Sequence, residues 1–169
     1  MQSFYLKQKA IAFRGSYKIL DEEQNVLYEC KASVFRIPTR VEIFDVKRQE
    51  IVYMLDRKLF TFLPKHYLKT PSGEIVATMS QRFAIGRRRV SIDSIHGQFE
   101  VQGNFWAHDF GIFSEKGEIA SIRKKLISWG DTYQITIHTN EHVDFFLALV
   151  VMIDRKFHTN KSSRRGSHR

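Results

Sequence analysis

The stretch Phe145-Phe146-Leu147-Ala148-Leu149-Val150-Val151-Met152-Ile153 is apolar without interruption. It lies inside a longer segment, residues 141–158, that contains neither Gly nor Pro. Such a run could form a buried strand, and Val150-Val151 favours one. Three features favour a helix. The uninterrupted segment is longer than an ordinary strand. Asn140 is a candidate N-cap, with Glu141 and Asp144 in the first turn. Arg155, Lys156 and His158 stand near the far end, where cations suit the helix macrodipole. One helix over residues 141–158 is therefore predicted. A helix that is apolar all round must be buried in protein or lipid. The apolar run falls short of the roughly 20 residues that a bilayer span needs, so it is expected to be surrounded by the rest of the chain.

What precedes it reads as strands and turns. Residues 4–13 are apolar with basic interruptions and read as a first strand. Residues 17–20 and 26–30 flank the polar turn 21–25 and read as a hairpin. Further short runs fall at 34–37, 41–44, 51–55, 59–63, 75–79, 82–85, 110–113 and 119–122. Tyr133, Ile135 and Ile137 give a clean period of two. Short β-branched and aromatic runs, separated by Asp, Asn, Gly, Ser and Pro, mark an all-β barrel or sandwich. Roughly twelve such runs are expected, wrapped around the helix.

A weak internal repeat supports a meander. Glu50-Ile51-Val52, Glu74-Ile75-Val76 and Glu118-Ile119-Ala120 each follow a polar turn. The pattern predicts one hairpin unit used repeatedly, with the Glu in solvent and the Ile buried. Its uneven spacing argues against a propeller or solenoid.

Composition bounds the rest. A chain of 169 residues, 43% hydrophobic and 13% aromatic, fits one domain with a true core. That domain is expected over 1–158, followed by a disordered basic tail over 159–169. The single Cys30 cannot form an internal disulfide, so a reducing cytoplasm suits the chain. Residues 1–13 lack the apolar core of a signal peptide. The net charge of +9 favours polyanions: phosphate backbones or anionic lipid headgroups.

Three stretches together carry a family resemblance: Asn104-Phe105-Trp106-Ala107-His108-Asp109-Phe110, Ser128-Trp129-Gly130-Asp131-Thr132-Tyr133, and the apolar run ending Ile153-Asp154-Arg155. With Lys58-Leu59-Phe60-Thr61-Phe62-Leu63-Pro64 they resemble the LURP-one-related family, in particular its small bacterial YxjI-type members. The resemblance spans about residues 3–158. It implies a tubby C-terminal-like fold, a closed barrel of about twelve strands around a central hydrophobic C-terminal helix. Tubby domains bind phosphoinositides, so a role at an anionic membrane is conceivable by resemblance. The cysteine-rich segment and transmembrane helix of the related scramblases have no counterpart here.

The candidate site residues are two basic triplets, Arg87-Arg88-Arg89 and Arg123-Lys124-Lys125. Clustered guanidinium and ammonium groups capture phosphate. The competing reading is a solvated surface that protects strand edges. Alternation along a strand keeps all three residues of a triplet from sharing one face. His108 and Asp109, adjacent in sequence, cannot face each other on a strand and are expected to form a polar corner that fixes the barrel. Asp131 after Gly130 reads as a turn former. There is no Gly-x-Ser-x-Gly elbow, P-loop, dinucleotide fingerprint or zinc spacing. The chain is thus expected to be a non-enzymatic cytoplasmic domain without cofactor or metal. It would bind anionic phospholipid or another phosphorylated ligand through a basic outer face, peripheral at the inner membrane. A protein-interaction scaffold is the alternative, with nucleic-acid binding third.

Overall fold

In the computed structural model, twelve antiparallel strands close into a barrel around one α-helix among the described residues. Those residues are 1–8, 16–33, 38–58, 65–84, 87–127 and 130–158; the side chains at 8, 82–84, 87–89, 106, 125–127, 130–131 and 158 are not described. The strands are β1 (Gln2–Gln8), β2 (Tyr17–Leu20), β3 (Val26–Ala32), β4 (Val41–Asp45), β5 (Glu50–Lys58), β6 (Lys65–Lys69), β7 (Ile75–Ala84), β8 (Arg87–Ser94), β9 (Gly97–Asn104), β10 (Asp109–Ser114), β11 (Gly117–Ile127) and β12 (Gly130–Ile137). Each pairs with its neighbour in sequence, and β1 closes the ring on β12, with Phe4 opposite Ile135.

The helix α1 (Val143–His158) runs through the barrel. Every residue of 145–153 is at most 5% exposed. A closed barrel leaves no strand edge free inside it, so a segment there must satisfy its own backbone hydrogen bonds, and a helix does so. Alternate residues of the strands face α1: Leu6, Ile19, Ile43, Leu68, Ile92, Ile112, Ile122 and Ile135 are all fully buried. The expected closed barrel around a central hydrophobic helix is the observed fold.

The repeat is real, but its facing differs from the expectation. Ile75 is 48% exposed, Ile51 and Ile119 are half-buried, and it is Val76 and Ala120 that are buried. The cause is a β-bulge just after the turn. Lys69 pairs with Ile75 but Leu68 pairs with Ala77, which leaves Val76 as the extra residue. The same shift makes Leu27, Val52 and Ile119 extra in their hairpins. A bulge increases local twist and so helps a sheet curl shut. Three of the bulge carbonyls are satisfied by the next hairpin: Leu27 accepts from Val46 N–H, Val76 from Ile95 and Ile119 from His138, at 2.8–3.0 Å.

Other boundaries move. The runs expected at 75–79 and 82–85 fall in one strand as far as Ala84, the end of β7. The helix begins at Val143, so Asn140 is not its cap; the Asn140 side chain accepts from Gln2 Nε2 instead. In the first turn, Asp144 Oδ1 accepts from the Phe145 N–H at 2.8 Å. Asp131 lies within β12 opposite Leu126, and not in a turn. The strands expected at 34–37 and 59–63, the second half of 4–13, Ser128-Trp129 and the tail 159–169 lie outside the described residues.

Candidate functional site

The meander gives the barrel two unlike ends. At the proximal end α1 begins, and the tight turns after β2, β4, β6, β8 and β10 gather there. At the distal end α1 finishes, among the starts of β6, β8, β10 and β12.

Four elements meet at the distal end around Asp154. The link from β9 to β10 is a 3₁₀ turn, Phe105–Ala107, and the Asn104 side chain caps it by accepting from the Ala107 N–H at 3.3 Å. His108 follows at φ +50°, a left-handed conformation that turns the chain sharply. Its ring stacks on Tyr133, 4.0 Å between centroids, and its Nδ1 lies 2.7 Å from Asp154 Oδ1. Tyr17 on β2 donates its hydroxyl to the same carboxylate; burial first, and then Asp154, push that phenol's pKa up. Phe105 stacks on Phe157 at 4.1 Å. The last turns of α1 are thus fastened to β2, β12 and the 3₁₀ turn. Asp109 faces away, with Arg123 Nε 3.7 Å from its Oδ1 in solvent.

Beside this fastening lies a cationic cluster. Arg57 on β5 is directly opposite His66 on β6, two residues beyond the inward pair Leu55 and Leu68. Alternation turns both toward the barrel interior. Arg155 and Lys156, on the last turn of α1, complete the group. The His66 imidazole is held down to about 3, first by burial and then by Lys156, Arg57 and Arg155. Lys156 is lowered to about 8, again by burial and then by Arg57. The Nε of Arg57 is buried and meets no hydrogen-bond partner among the described residues.

The two predicted triplets also belong to the distal end. Val90 pairs with Val101, Val101 with Ile112 and Ile112 with Ala120. Arg87 and Arg123 are each three residues from this level, toward the distal end. Strands β9 and β10 lie between them, so the triplets share an end without being adjacent. Arg123 and Lys124 are exposed; the side chains of Arg87, Arg88, Arg89 and Lys125 lie outside the described residues.

The proximal end differs in charge and shape. A groove of about 560 Å³ opens between His96, Phe99, Glu115, Lys116, His142 and Phe146. His96 stacks on His142 at 3.7 Å, and burial, followed by His142, lowers its pKa. Among the described residues no cluster of His, Cys, Asp and Glu could hold a metal ion. No helix there is long and apolar enough to cross a membrane.

The family model for LURP-one-related proteins matches residues 2–154. The chain belongs to the LURP-one-related family. It is 22% identical over 154 residues to the uncharacterized protein YxjI of Bacillus subtilis strain 168, covering 91% of this chain and 93% of that one. Its fold is similar to the X-ray structure of a protein from Arabidopsis thaliana, at TM-score 0.67 and 16% identity over 90% of both chains.

In this LURP-one-related barrel the stretches that carried the resemblance converge in space. His108, Tyr133 and Asp154 come one from each of the three, and they touch. The polar corner expected at His108 is present, but its acid is Asp154, with Asp109 left to Arg123. Sequence reasoning missed Asp154 because it reads as the polar end of a greasy helix. It also missed the Arg57–His66 cluster, whose residues are far apart along the chain from Arg155 and Lys156. Alternation from Leu55 and Leu68 was the available signal.

Proposed function

We propose that this chain is a non-catalytic cytoplasmic domain that binds anionic phospholipid, or another phosphorylated ligand, through the distal end of its barrel. The observation that carries the reading is the charge difference between the ends. Asp21, Glu22, Glu23, Glu50, Glu74 and Glu115 stand in or beside the proximal turns. Lys47, Arg48 and Lys116 stand among those acids, and Arg48 is drawn to Asp45 and Asp144. The distal end carries Lys58, Lys65, Arg87, Arg88, Arg89, Arg123, Lys124 and Lys125 on its strand termini. A molecule so polarised is turned by an anionic surface until its basic end faces it. The His–Asp pair supports a binding role over catalysis: both partners are well buried and hold the end of α1.

Flotation with neutral and phosphatidylserine-containing vesicles tests this at physiological salt. The protein is expected to float with the anionic vesicles alone, less so as salt rises. Arg123→Glu with Lys124→Glu should weaken that binding several-fold with folding intact. Equal partition to both vesicle types would overturn the reading.

A further inference from the structure

Arginine and histidine pointing into a barrel mouth call for an explanation that surface solvation does not supply. Arg57 and His66 sit opposite each other on the inward face, and the last turn of α1 brings Arg155 and Lys156 within electrostatic reach of His66. Both acids adjacent in sequence are engaged elsewhere: Asp56 by Arg40 and Lys69, and Asp154 by His108 and Tyr17. A half-buried group of cations with a buried guanidinium N–H lacking an acceptor among the described residues is costly by itself. An anion with several acceptor oxygens would remove that cost. Guanidinium binds phosphate through two parallel hydrogen bonds, and the one N–H of a neutral imidazole adds another.

We propose that Arg57, His66, Arg155 and Lys156 form a specific site for a phosphate monoester at the distal mouth. The proposal deepens the distal-end reading and rests on it only for the source of the phosphate, a lipid headgroup. The site differs from Arg123 and Lys124 in kind: they are exposed, whereas all four residues of this group are partly buried. A bound phosphate, monoanionic where His66 titrates, also offsets the mutual repulsion of the cluster. The His66 and Lys156 pKa values, both held down in the free protein, rise on binding.

The decisive experiment titrates the full chain with inorganic phosphate, against chloride at matched ionic strength, and follows the His66 ring by NMR. The His66 midpoint is expected to rise by about one pH unit or more, and Arg57→Gln to weaken phosphate binding at least about tenfold. A His66 ring that responds no more to phosphate than to chloride overturns the proposal, and that measurement needs no variant. Vesicles of phosphatidic acid and of phosphatidylglycerol, at matched surface charge, identify the source. Preference for the monoester lipid, lost in Arg57→Gln, supports a headgroup. Phosphate binding without vesicle binding keeps the site, assigns it a soluble ligand and removes the membrane reading. Vesicle binding with a silent His66 keeps the membrane reading and removes the site.

Discussion

His108 Nδ1 lies 2.7 Å from Asp154 Oδ1, one residue in a turn between strands and the other near the end of the central helix. The contact joins the wall of the barrel to its plug. Asp154 is 2% exposed, so these partners stand where water would otherwise meet its carboxylate.

Asp154→Ala should therefore cost about 3–5 kcal/mol, the usual loss when one partner of a buried pair is removed. Tyr17→Phe, which deletes one hydrogen bond to the same carboxylate, should cost about 1 kcal/mol. Urea unfolding of both single variants and the double checks this. The double should lose less than the sum, because the two residues share one network.

Leu149→Asp places a carboxylate at the centre of the helix, where Leu149 is 0% exposed. No partner is within the apolar surroundings, and the loss should exceed the stability of the domain. The expected outcome is insoluble protein, or a chain without a cooperative thermal transition. Soluble Leu149→Asp with unchanged melting would contradict a helix inside the barrel.

The acid limit of stability should carry the mark of His66. Its folded pKa, about 3, lies below the ordinary 6.5, so the unfolded chain takes up a proton that the folded chain refuses. Stability from this group is complete above about pH 6.5 and falls as the pH drops toward 3, by up to about 1.4 kcal/mol per unit. Asp56, lowered to about 2 chiefly by its hydrogen bond to Arg40, adds a separate loss below its ordinary value of 3.8. Urea midpoints of wild type and His66→Gln between pH 7 and 4 separate the two. The slope should flatten in the variant.

Two glycines predict opposite tolerances. Gly103 has φ +129°, and a Cβ there would strike the Asp109 carbonyl oxygen and the Phe110 Cα, both backbone. Gly103→Ala should cost about 2–3 kcal/mol. A Cβ at Gly111 meets the Glu118 carboxylate at 2.5 Å and the Phe113 ring at 2.7 Å, which are side chains that can move. Gly111→Ala should lose about 1 kcal/mol, within the range of mild core changes. Thermal melting of the two variants is sufficient to rank them.

The architecture was legible because the two periodicities are clean. Tyr133, Ile135 and Ile137 alternate, residues 145–153 do not, and both patterns survive in the structure. The bulges were not legible. Val76 and Ala77 are both buried although they are adjacent, which period-two reading forbids, and only the pairing with Leu68 and Lys69 shows why. Of the site, the triplets could be seen as charge runs along the chain. The grouping of Arg57, His66, Arg155 and Lys156 could not, since it exists only once the helix has been drawn through the barrel.

The seam between β1 and β12 carries a consequence for the order of folding. The helix follows β12 in the chain, and β12 is the strand that shuts the ring. A closed ring offers no side door to a helix, so a ring already zipped between β1 and β12 could take α1 only through an open end. During synthesis the segment needed to fill the core is the last of the domain to emerge. Until then the inward faces of the strands have nothing apolar to rest on but one another. A nascent chain halted before Phe145 is a sheet without a filling, sticky and unable to close, and its residence time on the ribosome sets its exposure to aggregation.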